Sequence, residues 1–112
     1  METTETKTNG IVTLGLKGKL DAITSPQLQE KLLGSIAGGE KHFAIDCAQL
    51  EYISSAGLRV LLLVTKQLRT VSGKIVLYAL KPHVREVFDL AGFSAALPLF
   101  GSQGEALASF TK

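Results

Sequence analysis

Three short apolar stretches, Ile11 to Lys17 (IVTLGLK), His42 to Cys47 (HFAIDC) and Lys74 to Leu80 (KIVLYAL), are separated by segments whose apolar residues recur every three or four positions. The first pattern suits a strand and the second an amphipathic helix. Strands that alternate with helices at such short spacing predict an α/β domain whose central sheet is at least partly parallel and covered by helices. With 112 residues, 46% of them hydrophobic, the chain can bury one core of ordinary size, so a single domain over residues 1–112 is expected.

The pieces between these runs fill in the order. Thr3 to Thr8 (TTETKT) can pair with the first run around Asn9-Gly10, a pair suited to a type I′ hairpin turn. Ser25 is expected to cap a helix that opens at Pro26, buries Leu28, Leu32, Leu33 and Ile36, and stops at Gly38-Gly39. Leu50 to Ile53 lead to a long helix that is expected to stop at Gly73. A further helix opens at Pro82, carries Val84, Val87, Phe88 and Ala91, and ends at Gly92. A short strand and a short helix are expected in the tail.

Charge and cysteine usage remove several function classes. Charged residues are 20% of the chain and the net charge is +2, spread rather than gathered, so the basic footprint of a nucleic-acid binder is absent. The single cysteine, Cys47, suits a reducing compartment and, among apolar strand residues, reads as a small buried side chain. His42 and His83 are far apart and no Cys-x-x-Cys spacing exists, so no zinc site is expected. The first ten residues lack the basic start and apolar stretch of a secretory signal, and the mature chain is expected to start here. Apolar runs such as Val60 to Val64 are far too short to cross a bilayer core of about 30 Å, which points to a cytoplasmic protein without membrane insertion.

The most distinctive segment is LEYISSAGLRVLLL, residues 50–63, where Ser54 and Ser55 stand at the turn from strand to helix. The first N–H groups of a helix have no internal partner, and a serine oxygen can satisfy one of them. At about 100° per residue, Val60, Leu61, Val64, Leu68 and Val71 gather on one side of this helix, and Ser55, Arg59, Lys66 and Thr70 on the other. Leu62 falls among the polar set with Leu63 at its margin, which makes Leu62 a candidate contact for a partner protein. A phosphoryl group on one serine would add about −1.5 to −2 charge at a helix N-terminus, where the dipole favours an anion. The domain would stay folded while a partner that buries Leu62 would be repelled.

The segments GKLDAITSPQLQEKL, IDCAQLEYISSAGLRVLL and GFSAALPLF, in that order, resemble the STAS family, the bacterial anti-sigma factor antagonists, along essentially the whole chain. The resemblance implies a single STAS-like α/β domain, a mixed four- to five-stranded sheet flanked by about four helices. It also implies a monomer that, when unphosphorylated, binds an anti-sigma factor that is itself a serine kinase, and that a serine phosphatase restores after phosphorylation. Many members carry Asp-Ser-Ser/Thr-Gly-Leu at this turn. Aligned on Gly57-Leu58, Ser54 takes the family's acidic position, Ser55 its first hydroxyl position and Ala56 its second, so Ser55 is the expected phosphoacceptor with Ser54 as the alternative. Asp21 matches an acidic loop position that helps to engage the kinase, although an ordinary loop aspartate bonding nearby backbone is an equal reading. The expected partner face therefore comprises Asp21, Ser54, Ala56, Gly57, Arg59, Leu62 and Lys66.

Other readings fit less well. A serine hydrolase would need Gly-x-Ser-x-Gly, and Ile53 stands where its first glycine should be. GSIAGGEK follows a helix rather than a strand and lacks the Gly-Lys-Ser/Thr order of a phosphate loop, so no cofactor is expected. Two alternatives to the switch stay open: a STAS subunit that is never phosphorylated, of the transporter-associated or scaffold type, and a small-ligand or nucleotide sensor using the helix N-terminus.

Overall fold

The structure, a computed structural model, describes residues 1–93 and 97–110. Its elements are β1 (Glu2–Thr8), β2 (Ile11–Leu20), α1 (Ser25–Ala37), β3 (His42–Ile53), α2 (Ser55–Arg69), β4 (Lys74–Tyr78), α3 (Pro82–Leu90), β5 (Leu99–Phe100) and α4 (Gln103–Ala108). The five strands form one mixed sheet in the order β1-β2-β3-β4-β5. β1 and β2 are antiparallel, with Thr8 opposite Ile11, and the later pairs are all parallel. The hairpin turn has φ of 53° at Asn9 and 79° at Gly10, the two left-handed residues that a type I′ turn requires.

Sequential parallel strands joined by right-handed crossovers put their connecting helices on the same face of the sheet. Accordingly Leu28, Leu32 and Ile36 of α1, Leu61, Val64 and Leu68 of α2, and Val84 and Phe88 of α3 share one core. In it they meet Val12, Leu14, Leu16, Phe43, Ile45, Cys47, Ile75 and Leu77 of the sheet. The other face is covered in part by α4, where Ala106 packs with Ile11, Ala44, Val76 and Tyr78. Among the described residues no helix is long and apolar enough to cross a membrane.

The structure departs from the sequence expectations at several boundaries. β2 continues to Leu20 and β3 is unbroken to Ile53, because irregularities between Gly15 and Lys17 and between Gly18 and Lys19 let the two strands stay paired while their register shifts. Ala91 lies just beyond α3 and is exposed rather than part of its apolar face. Ser25 does not cap α1. The helical turn starts earlier, with Ser25 N–H donating to the Asp21 carbonyl at 2.9 Å, and the capping side chain is Asp21. Ser25 is left buried inside the helix, its hydroxyl without a partner among the described residues. Residues 94–96 of the GFSAALPLF segment lie outside the described residues.

Candidate functional site: the strand ends at Leu20 and Ile53

β2 and β3 are parallel and end side by side, Leu20 opposite Ile53. The segments that follow them, Asp21 to Thr24 and the start of α2, are therefore neighbours although some thirty residues separate them in the chain. A backbone hydrogen bond from Ser54 N–H to the Leu20 carbonyl, 2.9 Å long, ties the two together. Gly57 makes that junction possible. A Cβ there would stand 2.8 Å from Leu20 Cγ and 2.9 Å from Ile53 Cγ1, so a side chain would push α2 off the strand ends.

The two serines have different environments. Ser54 precedes the helix with extended backbone, and its Oγ accepts a hydrogen bond from Gly57 N–H at 3.4 Å while its carbonyl accepts from Leu58 N–H at 3.0 Å. It is the N-cap, and it is half-buried. Ser55 is the first residue of α2, exposed, with a hydroxyl that makes no hydrogen bond among the described residues. α2 has no acidic residue in its first turn and carries Lys66 and Arg69 in its last, so the helix itself supplies no anion to its N-terminal dipole.

Asp21 behaves as a capping residue. Its Oδ1 accepts from the N–H groups of Thr24 and Ile23, both at 3.0 Å, and these bonds hold the carboxyl below its ordinary pKa of 3.8. Thr24 completes the turn, its hydroxyl accepting from Asp21 N–H and donating to the Lys19 carbonyl, each at 2.9 Å. Between them Ile23 stands 81% exposed, an apolar side chain that sequence reasoning did not single out. The spacing Asp-x-x-Thr in DAIT is the signal for this turn, since a short acceptor side chain caps N–H groups two and three residues on.

The structure brings Ser54, Ser55, Ala56 and Gly57 together with the Asp21 loop. Arg59 and Lys66 continue the exposed stripe along α2. Leu62 is half-buried, while Leu63, expected at the margin, is the more exposed of the two at 39%. A helical wheel gives angular order but not which flank a neighbouring element covers, and that decides between adjacent leucines. The histidines sit elsewhere: His83 Nε2 lies 2.6 Å from the Glu51 carbonyl oxygen, and the His42 ring is 5.4 Å from that of Phe110. Cys47 is fully buried, which pushes its thiol pKa up. Among the described residues no group of three or more histidine, cysteine, aspartate or glutamate side chains is arranged to hold a metal ion.

The family model of the STAS domain matches residues 3–106. The chain belongs to the STAS domain family. Across 110 residues, 98% of this chain and 95% of its relative, it is 44% identical to BtrV of Bordetella bronchiseptica, a protein named as an anti-sigma factor antagonist. A second relative, the anti-sigma-F factor antagonist RsfB of Mycobacterium tuberculosis, is 27% identical over 99 residues, 88% of this chain and 80% of RsfB. Among solved structures, unphosphorylated SpoIIAA, another anti-sigma factor antagonist, has the same fold with a TM-score of 0.85 at 23% identity, over 98% of this STAS chain and 96% of the other.

Proposed function

We propose that this STAS protein is an anti-sigma factor antagonist that works in the cytoplasm without catalysing a reaction itself. In its unphosphorylated state it binds an anti-sigma factor that is also a serine kinase, phosphorylation of Ser55 ends the complex, and a serine phosphatase restores it. The observation that carries the reading is the division between the serines: Ser54 holds the helix cap, while Ser55 offers an exposed, unbonded hydroxyl beside it. A kinase needs such a hydroxyl, free to reach the transferred phosphoryl without unfolding its surroundings. The names of BtrV and RsfB support the antagonist role, and that of the SpoIIAA structure, specified as unphosphorylated, supports control by phosphate.

The chain's own residues account for the switch. A phosphoryl group at Ser55 adds about −1.5 to −2 charge where the dipole of α2 welcomes it, so the domain remains folded. The same charge sits in the middle of the proposed partner face formed by Asp21, Ser54, Ala56, Gly57, Arg59, Leu62 and Lys66, where a partner would have to desolvate it.

The test is the intact mass of the protein recovered from its own cells, followed by mapping of tryptic peptide 42–59, which contains both serines. One phosphoryl group on Ser55, in a fraction that changes with growth conditions, is the expected result. A peptide unmodified in every condition, and after incubation with each purified anti-sigma factor kinase of the same organism, refutes the switch.

A further inference from the structure

An open sheet ends in two edges whose backbone groups can pair with a further strand. One edge here is short: β5 has two residues, and α4 packs against it. The other is β1, seven residues exposed along their whole length. Natural edges are blunted by a proline, a bulge or a lysine directed into solvent. β1 has no proline, its register with β2 runs unbroken from Glu2 to Thr8, and Lys7 is held by Glu40 at 2.8 Å. Four of its seven residues are threonines, which favour an extended backbone and leave the strand intact at the edge.

The ladder fixes which backbone groups are free. Thr8 and Ile11 flank the two-residue turn and so exchange both hydrogen bonds of their pair, and alternation along the strand directs Thr6, Thr4 and Glu2 to β2 as well. The N–H and C=O groups of Thr3, Glu5 and Lys7 therefore point away from the sheet. Glu5 and Lys7 also share the helix-covered face, where their side chains reach Lys31 of α1 and Glu40 just after it.

A second copy of the strand, antiparallel about a two-fold axis, can meet this row in a few registers, since facing residues must lie on the same face. Centred on Glu5, the pairing sets Glu5 against Glu5 of the second copy, and like charges directly opposite are destabilising. Centred on Thr4, it sets Glu5 against the uncharged Thr3 of the second copy. Centred on Thr6, it sets Glu5 against Lys7 of the second copy and Lys7 against its Glu5, with about four backbone hydrogen bonds between the chains. Lys31, Glu5, the second copy's Lys7 and its Glu40 then form one row of alternating sign.

We infer that β1 is a self-association edge: two copies of this protein join antiparallel through it, centred on Thr6, so that their five-stranded sheets become continuous. The contact belongs to the small class of transient interfaces, so the monomer that the family resemblance implies prevails when dilute and the dimer forms as concentration rises. It uses only the outer edge of β1, whereas the serine turn lies beyond β2 and β3, and it is independent of the partner proposed above.

The experiment is sedimentation equilibrium of the full-length unphosphorylated protein alone, at rising concentration, with cysteines placed along β1. The wild type is expected to show a reversible monomer–dimer equilibrium with a dissociation constant between about 10 µM and 1 mM. Thr6→Cys is expected to give a disulfide-linked dimer in oxidised glutathione, because residues opposed at a non-hydrogen-bonded position stand about 4.5 Å apart between Cα atoms, within disulfide reach. Thr4→Cys should stay unlinked, its counterpart lying four residues along the ladder, about 14 Å away. Cys47 is buried and takes no part. Lys7→Glu is expected to weaken the dimer about tenfold, less at high salt, while Glu40→Gln, which breaks only the ion pair inside the chain, keeps it. A protein that is monomeric at every concentration up to about 1 mM overturns the inference. So does a dimer that links through Thr4→Cys and not Thr6→Cys, or one that Lys7→Glu leaves unchanged. No anti-sigma factor takes part, so each of these results leaves the antagonist reading untouched.

Discussion

Gly57→Ala separates two opposing effects that differ in sign. Alanine is the better helix former by about 0.8–1 kcal/mol, so an unconstrained helical glycine gains stability when replaced. At Gly57 the new Cβ would stand 2.8 Å from Leu20 Cγ, 2.9 Å from Leu20 Cδ2 and 2.9 Å from Ile53 Cγ1. Both neighbours are essentially fully buried, so neither can swing away into solvent. Overpacking of this kind costs about 1–3 kcal/mol. Because the contacts come from two strands at once and involve atoms near the backbone, the upper half of that range applies, and the net change is about 1–2 kcal/mol of destabilisation. In equilibrium urea unfolding, with a slope of about 1–2 kcal/mol/M for a chain of this size, the midpoint falls by roughly 1 M and the slope is unchanged. A variant as stable as the wild type, or more so, would refute the close approach of α2 to the strand ends.

The serine pair yields a second prediction: Ser54→Ala costs about 0.5–1 kcal/mol through loss of a long cap hydrogen bond, whereas Ser55→Ala leaves the urea midpoint within error of the wild type. Equal losses in the two variants would contradict the assignment of the cap. The third prediction concerns alkaline pH. Burial, with Asp46 nearby, pushes the Tyr78 phenol from 10.0 up to about 12, so its contribution to stability is complete below pH 10 and disappears as pH rises toward 12. Tyr78→Phe should therefore flatten the fall in thermal midpoint across that window, and an unchanged slope would show that Tyr78 does not drive it.

Much of this fold was legible in the sequence because its signals are local. The Asn9-Gly10 turn, Pro26 and Pro82 at helix starts, and the phase of the α2 core residues each depend on a few neighbouring residues and the backbone they prefer. The length of β2 and β3 was not legible, since the irregularities that keep them paired arise from the partner strand. Nor was the cap of α1, because both Asp21 and Ser25 are good capping residues and only the path of the chain from β2 selects between them. At the candidate site the serines were visible, but their different environments were not. The exposures of Ile23, Leu62 and Leu63 follow from how α1 and the preceding loop sit beside α2, which no helical wheel contains.

The backbone hydrogen bond from Ser54 to Leu20 joins two stretches of chain that are far apart in sequence. One stretch, Asp21 to Thr24, closes on itself through Asp21 and Thr24 and exposes Ile23 without using that side chain for its own stability. Position 23 can therefore vary without disturbing the turn or the core, so the apolar surface beside the serines is free to change one residue at a time.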